Sequence, residues 1–243
     1  MKTNKSTSDS LSKYLAQAGI ASRRKAVDII KSKIVTVNGT LISEPGFKVN
    51  FNDCVRVNNN IVNSDSKVYI LLNKPKNCIT TVSDDLGRHS VIDLISQEIK
   101  ERIYPVGRLD RNTTGLLVLT NDGEFAQTLS HPRFEVQKIY HLQLDRAFTR
   151  NDMKTILAGI QLEDGFISID QASFFPDRSK ANLMVALHSG KYRVVRRLFE
   201  HLGYKVEKLD RAGYAGLTKA KLKVGEWRHL TKVEVGYLRQ ISP

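Results

Sequence analysis

Cysteine is nearly absent from this chain of 243 residues: Cys54 and Cys78 are the only two. Neither stands in a Cys-x-x-Cys or His-rich cluster with metal-ligand spacing, so no zinc site is expected. Both are flanked by apolar, strand-like residues and read as buried, reduced thiols of a reducing compartment. Long hydrophobic runs are missing too. No stretch approaches the roughly 20 residues of a spanning helix, and the N-terminus has no signal-like apolar region, which points to a soluble, cytoplasmic protein with no membrane partner. The six histidines are scattered, with none set beside a serine or cysteine as a nucleophile-base pair. No Walker or dinucleotide-binding glycine loop occurs, so no nucleotide cofactor is expected. Acids are also scarce, with 25 Asp+Glu against 38 Lys+Arg, a net charge of +13 and a pI near 9.7. Each basic side chain that meets a phosphate releases a condensed counterion, so the charge implies a polyanionic partner, nucleic acid first.

What is present divides the chain in two. Residues 1–8 are polar and too poor in apolar side chains to bury, and read as a disordered leader. Leu11, Leu15 and Ala18 share one helical face, Gly19 supplies a stop, and Ser22 caps a second helix with Ala26, Val27, Ile29 and Ile30 on its apolar side. Residues 34–42 carry a hairpin signal around Asn38-Gly39, and a further short strand falls at 55–57. Arg23, Arg24 and Lys25 cluster at the second helix start. A solvated helix face is the plain reading of such a run; an RNA-facing surface is the functional one. Residues 1–68 hold 11 Lys+Arg against 5 Asp+Glu, and the other 175 hold 27 against 20, so the N-terminal part is the more basic per residue. A polar boundary at 63–68 separates a module at 9–66 from a larger domain at 67–243. The latter mixes strand-like runs at 68–72, 116–120, 139–144, 182–187 and 221–224 with helical stretches near 91–100, 124–130, 149–158 and 193–202. That pattern is α+β, without the regular alternation of a doubly wound fold.

One acid stands out. Asp110 lies in Val-Gly-Arg-Leu-Asp-Arg-Asn-Thr-Thr-Gly (106–115), a polar loop bracketed by Gly107 and Gly115 ahead of the apolar run Leu116–Leu119. A loop so framed can hold a side chain at the floor of a cleft. The plainer role is an Asx-turn onto its own backbone.

Gly107-Arg108-Leu109-Asp110, Thr113, Gly115-Leu116-Leu117 and Thr120-Asn121-Asp122-Gly123 together resemble the catalytic signature of the RsuA/RluB-type pseudouridine synthases, which isomerise uridine in ribosomal RNA. The resemblance runs over almost the whole chain. Residues 11–24 with the hairpin at 35–39 resemble the small RNA-binding domain named after the fourth small-subunit ribosomal protein. Asn73-Lys74-Pro75 is also similar, although Lys76-Asn77 replaces the glycine that usually follows. The resemblance implies a mixed, largely antiparallel sheet crossed by the active cleft, an aspartate-based reaction without cofactor, and Asp110 as the essential acid. It makes Arg196, in Gly190–Phe199, the cation paired with that acid, with Val194 and Ser189 departing from the usual neighbours. Tyr140, in Lys138-Ile139-Tyr140, becomes the ring that stacks the base, Leu198 an apolar wall, and Arg108 an arginine that enters the RNA stack.

A flipped base needs such a face, since unstacking costs a few kcal/mol and an aromatic ring returns about 1 to 3. A carboxylate in a partly dry pocket likewise needs a neighbouring cation to stay ionised. Arg193 and Arg197 join Arg23, Arg24 and Lys25 as expected RNA contacts, with Arg88, Arg111, Lys191 and Arg211 as further phosphate candidates. Trp227 reads as a core anchor sooner than a base-stacking ring. The expected partner is ribosomal RNA or a pre-ribosomal particle, the large subunit favoured by residues 159–165, and the chain is expected to act as a monomer. A small-subunit enzyme and a non-catalytic assembly factor are the alternatives. A helix-turn-helix DNA regulator fits less well, because the hairpin follows the helices too closely.

Overall fold

The computed structural model describes residues 8–50, 52–63 and 65–241. The expected leader falls almost entirely outside them. The chain forms two compact units, residues 1–67 and 68–243.

In the first unit β1 (Asp9–Ser10) leads into α1 (Leu11–Gln17), α2 (Arg23–Lys31), β2 (Val35–Val37), β3 (Thr40–Leu41), β4 (Lys48–Val49), β5 (Val55–Val57) and β6 (Asn60–Ile61). Ser10 and Ser22 cap the helices by accepting from the amides of Lys13 and Lys25, which satisfies donors that the first turn leaves unpaired. Asn38 and Gly39 both take positive φ, 52° and 84°, the geometry that lets a two-residue turn follow the strand twist. The four-stranded sheet runs β3-β2-β5-β6, and Leu11, Leu15, Ala26, Ile30, Val35 and Val55 close the core between it and the helices.

The second unit holds β7 (Tyr69–Lys74), β8 (Tyr104–Pro105), β9 (Thr114–Thr120), α3 (Gly123–Ser130), β10 (Lys138–Leu144), α4 (Arg150–Ala158), β11 (Ile160–Leu162), β12 (Gly165–Ile167), β13 (Gln171–Phe174), β14 (Asn182–Leu187), α5 (Val194–His201), β15 (Val206–Tyr214), β16 (Leu217–Thr218), β17 (Trp227–His229) and α6 (Lys232–Arg239). Its main sheet runs β13-β14-β10-β15-β9-β7-β17, with β16 on β15 and β8 on β9. The described pairings are antiparallel except β15 with β9, which run parallel through Asp210↔Thr114 and Arg211↔Gly115. This is the α+β, mixed and largely antiparallel sheet expected.

β7 and β9 are apolar at nearly every position because both faces are covered. Leu71, Leu116 and Val118 pack on one side with Phe125, Leu129 and Leu238 from α3 and α6. Ile70, Leu72, Leu117 and Leu119 face the other way, against Val91, Ile95 and Ile103. A third core lies under β10, β14, α4 and α5.

Three expectations are corrected. Residues 91–98 form successive turns instead of a helix; Val91 and Ile95 are buried as a helical face would be, but four β-branched residues (91, 92, 95, 99) penalise a regular helix. Residues 221–224 are not a strand. Turn bonds from Leu222 to Lys219 and Glu226 to Lys223, with Gly225 at φ 89°, carry the chain to β17 at Trp227. Cys54 is only half-buried, just ahead of β5, while Cys78 is buried.

Candidate active site

The loop carrying Asp110 is held from below. The Thr80 hydroxyl donates to the Leu109 carbonyl at 2.8 Å and accepts from the Leu109 amide at 3.2 Å. Lys74, closing β7, is fully buried, and its ammonium donates to the carbonyls of Pro75 (3.0 Å), Arg111 (3.3 Å) and Thr113 (2.9 Å). Burial pulls it down to about 8, against the charges of Cys78 and Asp110. The Thr113 amide donates to the Asp110 backbone carbonyl at 3.0 Å, a main-chain turn and not the Asx-turn of the plainer reading. Its side chain is left free to face α5.

There Asp110 Oδ2 lies 3.5 Å from Arg193 Nη1 and 3.7 Å from Arg196 Nε. Arg193 sits at the N-cap of α5 with φ 46°, a left-handed geometry that costs a non-glycine residue about 1 to 2 kcal/mol, and its guanidinium also lies 3.7 Å from Glu200. Arg196 is anchored through Nη1 to the Val206 carbonyl at 2.7 Å. Its Nε is buried without a hydrogen-bond acceptor, and burial, with the Arg193 charge, lowers the guanidinium below its ordinary value. An arginine so lowered still stays protonated at neutral pH.

Asp110 and Tyr140 line one cleft that is open to solvent. Tyr140 is half-buried on β10, opposite Arg211 on β15. Asp110 is the only acid of the lining, against Arg108, Lys138, Lys191, Arg193 and Arg211. Two further openings share Asp110 and Arg193: one bounded by Arg111, Arg196 and Lys205, the other by Ile79, Thr80 and Tyr192.

The structure thus brings together Asp110, Tyr140, Arg193 and Arg196, with Arg108 exposed at the rim. It separates others. Leu198 is fully buried in the core under α5 and does not line the cleft. Arg197 grips both oxygens of Asp164 at 2.8–2.9 Å and is not free for phosphate. Arg88 is likewise held by Asp84, whose carboxyl is drawn down to about 2 by that pairing. Arg211 is no surface contact, being 3% exposed. Arg23, Arg24 and Lys25 are exposed on α2 of the first unit. Trp227 is half-buried against the core containing Ile70 and Leu72, as an anchor would be. Sequence reasoning assigned no role to Lys74, Thr80 or Lys138. A lysine ending an otherwise apolar strand was the one available signal for Lys74.

A single acid among so many cations suits a polyanion that brings an electrophilic centre to a carboxylate, which defines an enzyme acting on nucleic acid. Comparison with known proteins narrows the class. Residues 68–201 match the RNA pseudouridylate synthase family, and residues 10–53 match the S4 domain. The chain is 42% identical to the ribosomal large subunit pseudouridine synthase B of Bacillus subtilis, over 96% of each chain. It is 37% identical to an uncharacterized RNA pseudouridine synthase of Aquifex aeolicus, over 94% of this chain and 92% of that one. A crystal structure of a pseudouridylate synthase superposes with a TM-score of 0.67 at 25% identity, covering 94% of this chain and 99% of the other. The chain belongs to the RNA pseudouridylate synthase family, in its S4-bearing RsuA/RluB-type branch. Among the described residues no helix is long and apolar enough to cross a membrane.

Proposed function

We propose that the protein isomerises a uridine of large-subunit ribosomal RNA, acting in the cytoplasm as a monomer and without a cofactor. The observation that carries this reading is the Asp110 carboxylate between Arg193 and Arg196 in a cleft shared with Tyr140. The subunit preference is supported by the relatives named as large-subunit synthases, in Bacillus subtilis and, at 35% identity, in Buchnera aphidicola.

In this reading the uridine is everted into the cleft and its base stacks on Tyr140. Asp110 attacks beside the ribose while Arg196 and Arg193 stand against its carboxylate and hold it in place. The exposed α2 cations of the S4 unit dock a neighbouring stem, and Arg108 fills the gap the base leaves.

Asp110→Asn removes the charge and keeps the shape. The expected result is loss of pseudouridine formation in large-subunit RNA with RNA affinity retained within a few-fold. Turnover by Asp110→Asn would remove the aspartate from its role. Mapping pseudouridine in both ribosomal RNAs of a deletion strain, with a missing residue in the large-subunit RNA alone, tests the target.

A further inference from the structure

Arg211 occupies the middle of β15 and is buried, yet its guanidinium makes one hydrogen bond, from Nε to the Leu116 carbonyl at 2.7 Å. Its Nη2 is buried and has no acceptor. The adjacent Asp210 does not compensate it, because both Asp210 oxygens are held by Lys219 at 2.6 and 2.7 Å and one also by Thr114 at 2.5 Å. The guanidinium carbon rests 4.4 Å from the centre of the Tyr214 ring. A second cation, half-buried, lines the same cleft: Lys138, whose ammonium donates to the His188 carbonyl at 2.6 Å and which burial and the Arg211 charge, opposed by Asp170, pull down to about 8. Keeping the Arg211 guanidinium buried with no acid in salt-bridge contact among the described residues is costly, and a ligand that brings acceptors or negative charge recovers that cost.

The place of Arg211 says which part of the ligand it meets. Its strand neighbours are Tyr140 on β10 and Gly115 on β9, so it lies in the sheet between the stacking ring and the strand that the Asp110 loop feeds. All of them but Gly115 line the one cleft. Tyr140, Asp110 and Arg211 thus border the same space, in which a pyrimidine stacked on Tyr140 with its ribose toward Asp110 would turn its edge toward Arg211.

We propose that Arg211 is a catalytic residue that binds the detached uracil as its anion, its terminal nitrogens donating to a ring carbonyl. This deepens the reading of the site as a uridine isomerase and rests on it. When the bond between N1 and C1′ breaks, its electron pair stays with the base, and an Asp110 oxygen takes C1′. The negative charge spreads over N1, C5 and both carbonyl oxygens. Turning the ring half a revolution about the N3–C6 axis exchanges N1 with C5 and O2 with O4, so a fixed donor faces a carbonyl before and after. C5 then gives an electron pair to C1′ as the Asp110 oxygen departs with its own, C5 loses its proton and N1 gains one. The guanidinium acts where charge develops, which makes it worth more in the transition state than in the ground state.

The test is a cycle between protein and substrate, using a large-subunit RNA fragment carrying uridine, 2-thiouridine or 4-thiouridine at the mapped position. Arg211→Met is expected to slow single turnover on uridine by about 10²-fold. A thiocarbonyl accepts hydrogen bonds poorly, so each thio substrate should slow the wild type, and Arg211→Met should show less than about a twofold further loss. An undiminished rate for Arg211→Met, or a thio penalty as large in the variant as in the wild type, overturns the proposal. Should Arg211→Met melt below the assay temperature, both proteins are carried through the same cycle at a temperature where the variant is folded and read by the same criterion. Failure of the wild type to convert uridine would instead reject the isomerase reading itself.

Discussion

At the scale of single residues, neighbours on α5 carry different tasks because a helix turns 100° per step. Arg196 faces Asp110, Arg197 is spent on Asp164, and Leu198, two positions from Arg196, points to the far side into the core. Arg196→Met is therefore expected to lower kcat by about 10²-fold, and Arg197→Met to leave it within a few-fold; steady-state kinetics of the pair checks the assignment. Lys74 gives a pH prediction. Its folded value, about 8, lies below its ordinary 10.5, so the charged form is penalised in the fold. That penalty is fully present below about pH 8 and is relieved as pH climbs to about 10.5, so the wild type should gain stability relative to Lys74→Met across that window. Below it, Lys74→Met leaves the Arg111 and Thr113 carbonyls without a donor, at about 1 to 3 kcal/mol. Urea unfolding of both proteins at pH 7 and 10 measures each effect. Asp110, Tyr140 and Arg196 were legible in the sequence because each stands in a long, residue-specific segment. Lys74 and Arg211 were legible only faintly: a lysine ending an apolar strand marks the first and a place among the phosphate candidates the second, but neither pattern says that the cation is buried.

At the scale of elements, the parallel seam between β9 and β15 depends on one glycine. Gly115 has φ 111°, and a Cβ there would stand 2.3 Å from the Arg211 carbonyl oxygen and 2.5 Å from its amide nitrogen. Gly115→Ala must push the strands apart, and the expected loss is about 3 kcal/mol or more. Gly107 also has a positive φ, 71°, but open space around it, so Gly107→Ala should cost only about 1 to 2 kcal/mol. Equal losses on denaturant unfolding would contradict the close approach. β7 and β9 were readable because apolar content betrays strands covered on both faces, and β10 and β14 because their apolar residues recur along a short run. β15 was not, because Glu207, Lys208, Asp210 and Arg211 interrupt its pattern where the strand serves the site. The stretch 91–99 failed for the opposite reason, a helical spacing of apolar residues whose β-branching the backbone declined to follow.

At the scale of the whole molecule, the excess of basic residues argues for partners that are polyanions, and the S4 unit carries the denser share. Replacing Arg23, Arg24 and Lys25 with alanine is expected to weaken RNA binding at low salt and to lower the slope of log K against log salt by about 2 to 3, if all three meet phosphates. Filter binding across a salt series reads the slope, and an unchanged slope would assign the α2 cluster to solvent. The two-unit organisation was visible in composition and turn signals. The order of strands in the main sheet was not, because it depends on pairings between distant segments. Asp210 pairs with Thr114 across 96 residues, and joining ends so far apart is slow as well as entropically costly. The β15 side of the cleft is thus the part of the molecule that translation completes late. In the proposed reading, a chain still emerging from the ribosome carries Asp110 for the time it takes to add about a hundred residues before it has a cleft to seat a nucleotide, and it gains that cleft only when β15 slots into place.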